Sequence, residues 1–192
     1  YNTDLYRVDV ASGELTTVTA DFDPHAGANL YAVGDAGEVL HFGARGELLL
    51  EATDRGRVQL FRQDAKSGEF APIRLDTPTA SGFSWSADGQ RVAYIGTSIT
   101  TPHQVWVHDL RRRSGVRILD PAAETHGYVT LSDVEFVRYE APDGTPVDGW
   151  LYRPYGFDEG QTYPLVVDFY GGVVPNGEAF RFQRHQMAAR GY

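Results

Sequence analysis

The residues best suited to chemistry lie in one short turn, formed by Tyr170, Gly171 and Gly172. Two adjacent glycines relieve the steric limits on φ, so a ligand or another segment can approach the backbone closely. The turn follows the apolar residues 164–169, whose length and β-branching predict a buried strand. A predicted helix follows, with Asn176 as its N-cap and Gly191 just past its end. This order forms the first half of a βαβ unit, and open α/β sheets bind ligands at the carboxyl ends of their strands.

A complete site for nucleophilic catalysis is not visible among these residues. A serine nucleophile needs a His that an acidic residue orients, together with donors aimed at the developing oxyanion. No G-x-S-x-G elbow occurs in the 192 residues, and there is no cysteine to supply a thiolate. The pairs Ser81-Gly82 and Ser114-Gly115 are predicted to be turn residues. From the residue pattern alone, Tyr170 is a half-buried aromatic at a strand end or a hydroxyl beside a turn that a ligand can approach.

Other polar and aromatic residues are predicted to have structural roles, and no metal or cofactor is predicted. His103 and His108 are five residues apart, which places them on opposite faces of a strand and favours packing over metal binding. The arginines at residues 111–113 are expected in a solvated turn, with an acidic partner as the alternative. Three tryptophans are predicted to be core or inter-sheet aromatics: Trp85, Trp106 and Trp150.

Composition narrows the class of protein. The length suits one or two domains, and the contents of 42% apolar and 22% charged residues are ordinary for a globular protein. No apolar run reaches the roughly 20 residues that span a bilayer, so no membrane partner is predicted. A formal charge of −9 argues against nucleic acid as a partner. The absence of cysteine and of a visible signal peptide weakly favours the cytoplasm; an oligomer stays open.

A repeat typical of β-propeller blades occupies residues 1–131. LYRVDVASG (5–13) is echoed by LFRQDAKSG (60–68) and, with two extra residues, by VWVHDLRRRSG (105–115). Each is a predicted strand ending in Asp, followed by a turn ending in Ser-Gly, and the spacing suits four-stranded blades. FSWSADGQRVAYIG (83–96) contains Asp88-Gly89, a strong hairpin signal. An antiparallel sandwich is the alternative interpretation.

The pattern changes at residue 132. Residues 134–141 alternate as a strand, 142–145 carry turn chemistry and 147–153 form the return strand. An α/β-hydrolase sheet begins in this way. The predicted fold class is therefore mixed: a partial β-propeller of two to three antiparallel four-stranded blades over residues 1–131, then the N-terminal part of an α/β-hydrolase domain over 132–192. Two to three blades cannot close a ring of 4–8, so the chain is predicted to be a fragment.

These motifs together resemble the prolyl oligopeptidase family of serine peptidases, in its acylaminoacyl-peptidase and dipeptidyl-peptidase branches. FSWSADGQRVAYIG is similar to the propeller repeat of that family, with Ala87 in place of a proline. VRYEAPDGTPVDGWLYRP is similar to the start of its catalytic domain, and YPLVVDFYGG followed by MAARGY to the stretch leading to its nucleophile. Many relatives have His-Gly-Gly-Pro at the glycine turn, whereas this chain has Tyr170 and, after the glycines, Val173.

The resemblance implies a propeller that restricts access to a catalytic domain and a peptide as substrate. It implies that the Tyr170 hydroxyl helps to bind the oxyanion, with Gly171 and Gly172 shaping the turn. The triad would lie outside this chain, which alone is predicted to be inactive. Two other hypotheses remain: an α/β-hydrolase of esterase specificity, and a non-catalytic propeller scaffold that binds proteins.

Overall fold

Short apolar segments between Gly, Asp and Ser turns form strands, and strands joined by short turns pair antiparallel. The computed structural model describes residues 3–26, 39–43, 46–169 and 178–192. Within them the strands are β1 (Tyr6–Val8), β2 (Leu15–Thr17), β3 (His25–Ala26), β4 (Leu40–Phe42), β5 (Leu48–Asp54), β6 (Arg57–Gln63), β7 (Phe70–Pro72), β8 (Thr79–Trp85), β9 (Arg91–Thr97), β10 (Gln104–Asp109), β11 (Ser114–Leu119), β12 (Val134–Glu140) and β13 (Pro146–Tyr152). The helices of this part are α1 (Ala123–His126) and α2 (Phe182–Ala189).

Strands β8 to β11 form a four-stranded antiparallel sheet in the order β11-β10-β9-β8. Strands that are neighbours in the chain are also neighbours in the sheet, so hairpins connect them. The β8–β9 hairpin turns at Gly89, whose φ of +64° places it in the left-handed region that glycine tolerates. The predicted Asp-Gly hairpin is therefore confirmed. The sheet has the strand number predicted for one blade, and its place around a propeller axis stays a prediction.

The other large sheet, of five strands, is built around β5. Strand β5 pairs with β6, and β6 pairs with β7. On its other edge β5 pairs with two short strands in succession: β3 contacts Ala52 and Thr53, and β4 contacts residues 48–50. Two strands thus share one edge position, and the sheet is four positions wide. The pair β1–β2 forms a separate two-stranded sheet.

All three repeats form the same turn. In each, a carboxylate oxygen of the Asp accepts the N–H groups two and three residues later, at distances of 2.8–3.1 Å; the three residues are Asp9, Asp64 and Asp109. These bonds lower the pKa of each carboxyl group from its usual value. The Asp ending of the repeat therefore has a local cause, since it closes an Asx-type turn.

In the third repeat, the prediction that Ser-Gly forms the turn is wrong. Its positive-φ position, four residues after the Asp, is Arg113 with φ of +54°, whereas Gly13 and Gly68 occupy it in the first two repeats. Arg113 donates its N–H to the Asp109 carbonyl, as both glycines do to theirs. Ser114-Gly115, predicted to be turn residues, instead begin β11. The insertion of two residues displaced the Ser-Gly pair past the turn.

The principal core lies between the two large sheets. Six residues form it, contributed by β5 and β6 on one side and β8 and β9 on the other: Leu49, Leu60, Ala80, Phe83, Val92 and Tyr94. Trp85 and Trp106 pack against this cluster, as predicted for core aromatics. Burial of an aliphatic or aromatic side chain of this size contributes about 1.5–3 kcal/mol, so this cluster holds the sheets together.

The C-terminal part begins with the predicted hairpin. Strands β12 and β13 pair in register from Val134 with Tyr152 to Glu140 with Pro146. Its turn uses Gly144 at φ of +83°, and Arg138 bonds across the strands to both carboxylate oxygens of Asp148 at 2.5 and 2.8 Å. Both strands and the turn are thus confirmed.

The predicted strand over residues 164–169 is not formed. No described strand pairs with this segment, and Leu165 and Phe169 are 75% and 79% exposed. A strand needs a neighbour to bond its N–H and carbonyl groups, and the described residues provide none there. The apolar pattern was thus insufficient to specify a strand in this chain.

The C-terminal helix starts later than predicted. Helix α2 begins at Phe182, after Arg181. Residues 178–180 are not helical, because the N–H groups of Glu178 and Phe180 bond to the two sheets. Asn176, the predicted N-cap, lies outside the described residues. Gly191 has φ of +92°, and the predicted helix end is confirmed. With eight residues α2 is the longer described helix, and none in the described ranges is long and apolar enough to cross a bilayer.

Candidate functional site at the junction of the sheets and the C-terminal helix

The predicted site residues Tyr170, Gly171 and Gly172 lie outside the described residues, so their role stays a prediction. The structure describes the segments that flank them, which end at Phe169 and resume at Glu178. Both flanks contact other elements of the fold. These contacts define a junction between the large sheets and the C-terminal helix.

The flank that follows the predicted turn is fixed to the ends of the sheets. Glu178 donates its N–H to the Gly56 carbonyl in the β5–β6 turn, and its carboxylate pairs with the Nε of Arg57. The Glu178 side chain is only 11% exposed, so water screens the charge of this carboxylate weakly. Phe180 donates its N–H to the Thr97 hydroxyl oxygen at 3.2 Å. Residues 178–180 are thus bonded to both large sheets.

The flank that precedes the predicted turn is bonded to α2. The Nη2 and Nε atoms of Arg184 lie 2.9 and 3.0 Å from the same carboxylate oxygen of Asp168. The Arg184 side chain is mostly buried, whereas that of Asp168 is exposed. The pair connects the segment before the glycines to the helix after them.

His185 is the most buried polar group of α2, at 4% exposed. Its Nδ1 atom accepts the Ser132 N–H at 3.2 Å, and its Nε2 atom lies 3.0 Å from the Ile99 carbonyl oxygen. The rings of Tyr152 and Phe180 pack against the imidazole. Because backbone groups contact both nitrogens, His185 holds the junction and offers neither nitrogen to a substrate.

A His–acid pair lies within the sheets, away from this junction. Asp76 Oδ2 is 2.7 Å from His108 Nδ1 and 3.2 Å from the Tyr94 hydroxyl, and Asp76 Oδ1 accepts the Gly115 N–H at 3.0 Å. Burial opposes ionisation of Asp76, but the bonds from His108 and Gly115 outweigh it and lower the pKa of the carboxyl. Burial and the Asp76 charge raise the pKa of Tyr94.

The Asp76 network has a structural role. His108 is 2% exposed, which seals the imidazole from solvent and substrate. The network joins the β7–β8 connection to β9, β10 and β11, which are three of the four strands of that sheet. Sequence reasoning expected His108 to pack and gave Asp76 no role, because the two residues are 32 positions apart. No cluster of three potential metal-ligating side chains occurs in the described part of the chain.

Glu51 is a buried carboxyl that sequence analysis also missed. It lies on β5, is 2% exposed and accepts the Gly82 N–H at 3.2 Å. Burial is the main cause that raises its pKa from 4.5 to about 7, and the Gly82 bond opposes the shift. Gly82 has φ of +66° where the β8–β9 register shifts between Ser81 and Ser84. The predicted Ser81-Gly82 turn is therefore wrong: the pair forms an irregularity within β8 that faces Glu51.

Comparison with known sequences identifies peptidases as relatives. The chain is 27% identical over 194 residues to the uncharacterized peptidase YuxL of Bacillus subtilis, covering 96% of this chain and 28% of that protein. It is 23% identical over 200 residues to the probable dipeptidyl-peptidase 5 of Emericella nidulans, covering 98% of this chain and 26% of that protein. The chain thus spans about a quarter of the length of these relatives. No family model matches the sequence.

Two solved peptidase structures share the fold of this chain. Porphyromonas gingivalis dipeptidyl peptidase 4 superposes with a TM-score of 0.71 at 19% identity, over 98% of this chain and 26% of that one. Pyrococcus horikoshii acylaminoacyl peptidase gives a TM-score of 0.68 at 20% identity, over 95% and 26%. The resemblance to dipeptidyl and acylaminoacyl peptidases of the prolyl oligopeptidase family, first read from the motifs, is therefore confirmed by relatives in sequence and by the fold.

Proposed function

We propose that this chain is part of a serine peptidase that hydrolyses short peptides through an acyl-enzyme. The observation that carries the proposal is the alignment of 96% or more of the chain with two proteins named as peptidases. The chain covers about a quarter of each, and it contains no G-x-S-x-G elbow. The nucleophile, the acid and the catalytic His accordingly belong to a further part of the polypeptide in this proposal.

The proposed contribution of this chain is twofold. Residues 1–131 form part of a propeller that limits access to the catalytic domain, and residues 132–192 begin that domain. The four-stranded sheet β8–β11 and the edge shared by β3 and β4 support the first assignment, because blades are antiparallel sheets of four strand positions. The hairpin β12–β13 followed by α2 supports the second.

Tyr170 is the proposed donor to the oxyanion. When a serine attacks the scissile carbonyl, its oxygen gains negative charge, and a hydroxyl held nearby stabilises that charge in the transition state. Gly171 and Gly172 leave room for the substrate at the turn. The pairing of Asp168 with Arg184 and of Glu178 with Arg57 supports this proposal, because the two flanks of the turn are each fixed to a packed element.

The test uses the full-length protein with peptide-amide and ester substrates. We expect peptide hydrolysis that a serine-reactive phosphonate abolishes, and we expect Tyr170→Phe to lower kcat about 100-fold with an unchanged circular dichroism spectrum. Tyr155→Phe removes the hydroxyl of an exposed tyrosine and serves as the matched control. An unchanged kcat in Tyr170→Phe removes this residue from the mechanism. Turnover of esters alone indicates an esterase. If neither substrate is hydrolysed, the hypothesis of a non-catalytic scaffold remains.

A further inference from the structure

The two bonds of His185 require a single protonation state. A backbone N–H can only donate, so the Ser132 contact needs a bare Nδ1 with a lone pair. A carbonyl oxygen can only accept, so the Ile99 contact needs a proton on Nε2. Both bonds form only with the neutral, Nε2-protonated imidazole.

These bonds join three segments that are distant in the chain. Ile99 lies in the connection between β9 and β10 of the four-stranded sheet, and Ser132 lies in the linker that leads into β12. The Tyr152 ring meets the imidazole edge-on at 5.1 Å, and the Phe180 ring stacks on it at 5.3 Å. Packing on two sides leaves the ring little freedom to turn toward other partners.

A second proton on His185 would break this arrangement. It would occupy the Nδ1 lone pair and direct an N–H at the Ser132 N–H, so donor would face donor. It would also place a positive charge in a site that is 4% exposed. The titratable and charged groups on the segments packed around the ring are Arg181 immediately before α2, Arg184 of α2, Tyr152 of β13, Asp168 before the predicted turn, His103 of the β9–β10 connection and Asp133 next to Ser132.

The charged groups around the ring do not stabilise a positively charged imidazolium. Two of the groups, Arg184 of α2 and Arg181 immediately before it, are guanidinium ions, which only donate hydrogen bonds and cannot pair with an imidazolium. The nearby carboxylate of Asp168 is already bonded to Arg184 through two nitrogen atoms. The imidazolium would thus gain no dedicated partner from Asp168 to replace the bond lost at Ser132.

We propose that His185 is a proton-sensitive tie between the four-stranded sheet and the C-terminal part of the chain. The neutral imidazole holds the linker at Ser132 and the sheet connection at Ile99 against α2. Uptake of one proton from solvent at Nδ1 breaks the Ser132 bond and releases the linker, while the separate cores of the sheets stay intact. The inference does not depend on the proposed catalytic role of Tyr170.

Hydrogen exchange of the peptide containing Ser132, measured by mass spectrometry on the full-length protein, tests the tie. Protection factors at pH 7.5 and pH 5.0 are compared, since the intrinsic exchange rate itself depends on pH. We expect protection at Ser132 to fall about tenfold at pH 5.0 in the wild type. In His185→Gln, whose amide offers a donor and an acceptor without charge, protection should be the same at both pH values. His103→Gln, a neighbouring histidine change, should keep the wild-type pH dependence.

Three results would overturn the proposal. The first is equal wild-type protection at the two pH values. The second is a loss of protection in His185→Gln at pH 5.0 as large as that of the wild type. The third is a parallel loss in the peptide that carries Phe83 and Tyr94, which would mean that the core opens as a whole. His185→Leu should lack the protection at both pH values, and if that variant does not fold, the Gln variant still decides.

Discussion

Replacing Glu51 by Gln should remove a large pH dependence from the stability of the sheets. Glu51 is buried on β5, and burial raises its pKa to about 7. The Gln side chain has nearly the same volume and keeps an oxygen that can accept the Gly82 N–H. The substitution therefore changes the ability to ionise while leaving the packing and the hydrogen bond in place.

The size and sign of the effect follow from linkage. Raising a pKa from 4.5 to about 7 corresponds to about 3 kcal/mol of differential interaction between the two protonation states. The folded chain holds the proton more tightly than the unfolded chain, so unfolding releases it between these pH values. The contribution of Glu51 to stability is therefore complete below about pH 4.5 and is lost as the pH rises through 7.

Denaturant unfolding at several pH values between 4.5 and 8 measures this difference. We expect Glu51→Gln to match the wild type near pH 4.5 and to exceed its free energy of unfolding by about 3 kcal/mol at pH 8. Glu14→Gln, which changes an exposed carboxyl, should leave the wild-type profile unchanged. If the difference between Glu51→Gln and the wild type is constant across this range, the carboxyl does not titrate as its burial requires, and the reasoning is refuted.

Two glycine substitutions test the turns and the Asp76 network by the same unfolding measurement. Arg113→Gly should stabilise the chain by about 0.5–1 kcal/mol, because glycine relieves the left-handed backbone at φ of +54°, whereas Arg112→Gly, at a residue without positive φ, should not stabilise it; equal effects of the two changes would contradict this. Gly115→Ala should destabilise by about 2 kcal/mol, because its Cβ would lie 2.0 Å from Asp76 Oδ2 and displace the carboxylate from its partners. Gly149→Ala, whose Cβ would meet only Val137 at an ordinary 3.5 Å, is the control and should change stability far less.

The sequence predicted the turns and strands that depend on contacts between residues close together in the chain. The Asp88-Gly89 hairpin and the turn at Gly144 formed as expected, because the residues that close each turn are neighbours in sequence. The alternation of Phe83 with Trp85 and of Val92 with Tyr94 likewise placed these residues in or against the core. Such features need no information from the rest of the chain.

Features that depend on distant partners could not be predicted in this way. The late start of α2 results from bonds between Glu178 and Gly56, residues 122 positions apart, and the buried setting of His185 results from Ile99 and Ser132. Residues 164–169 were predicted to form a strand because their apolar, β-branched side chains favour strands. A strand also needs a neighbouring strand to bond its backbone groups, and the composition of one segment does not show whether a neighbour is present. The role of Tyr170 in binding the oxyanion is inferred from the family resemblance and stays a prediction.

The exposed apolar segment before the predicted turn has a practical consequence. Leu165, Val167 and Phe169 each leave 70% or more of their surface in contact with water. Exposed apolar side chains that follow one another in this way favour association between copies. The 192-residue chain, expressed by itself, should therefore form concentration-dependent aggregates, and changing Val167 to a lysine should keep it monodisperse in size-exclusion chromatography.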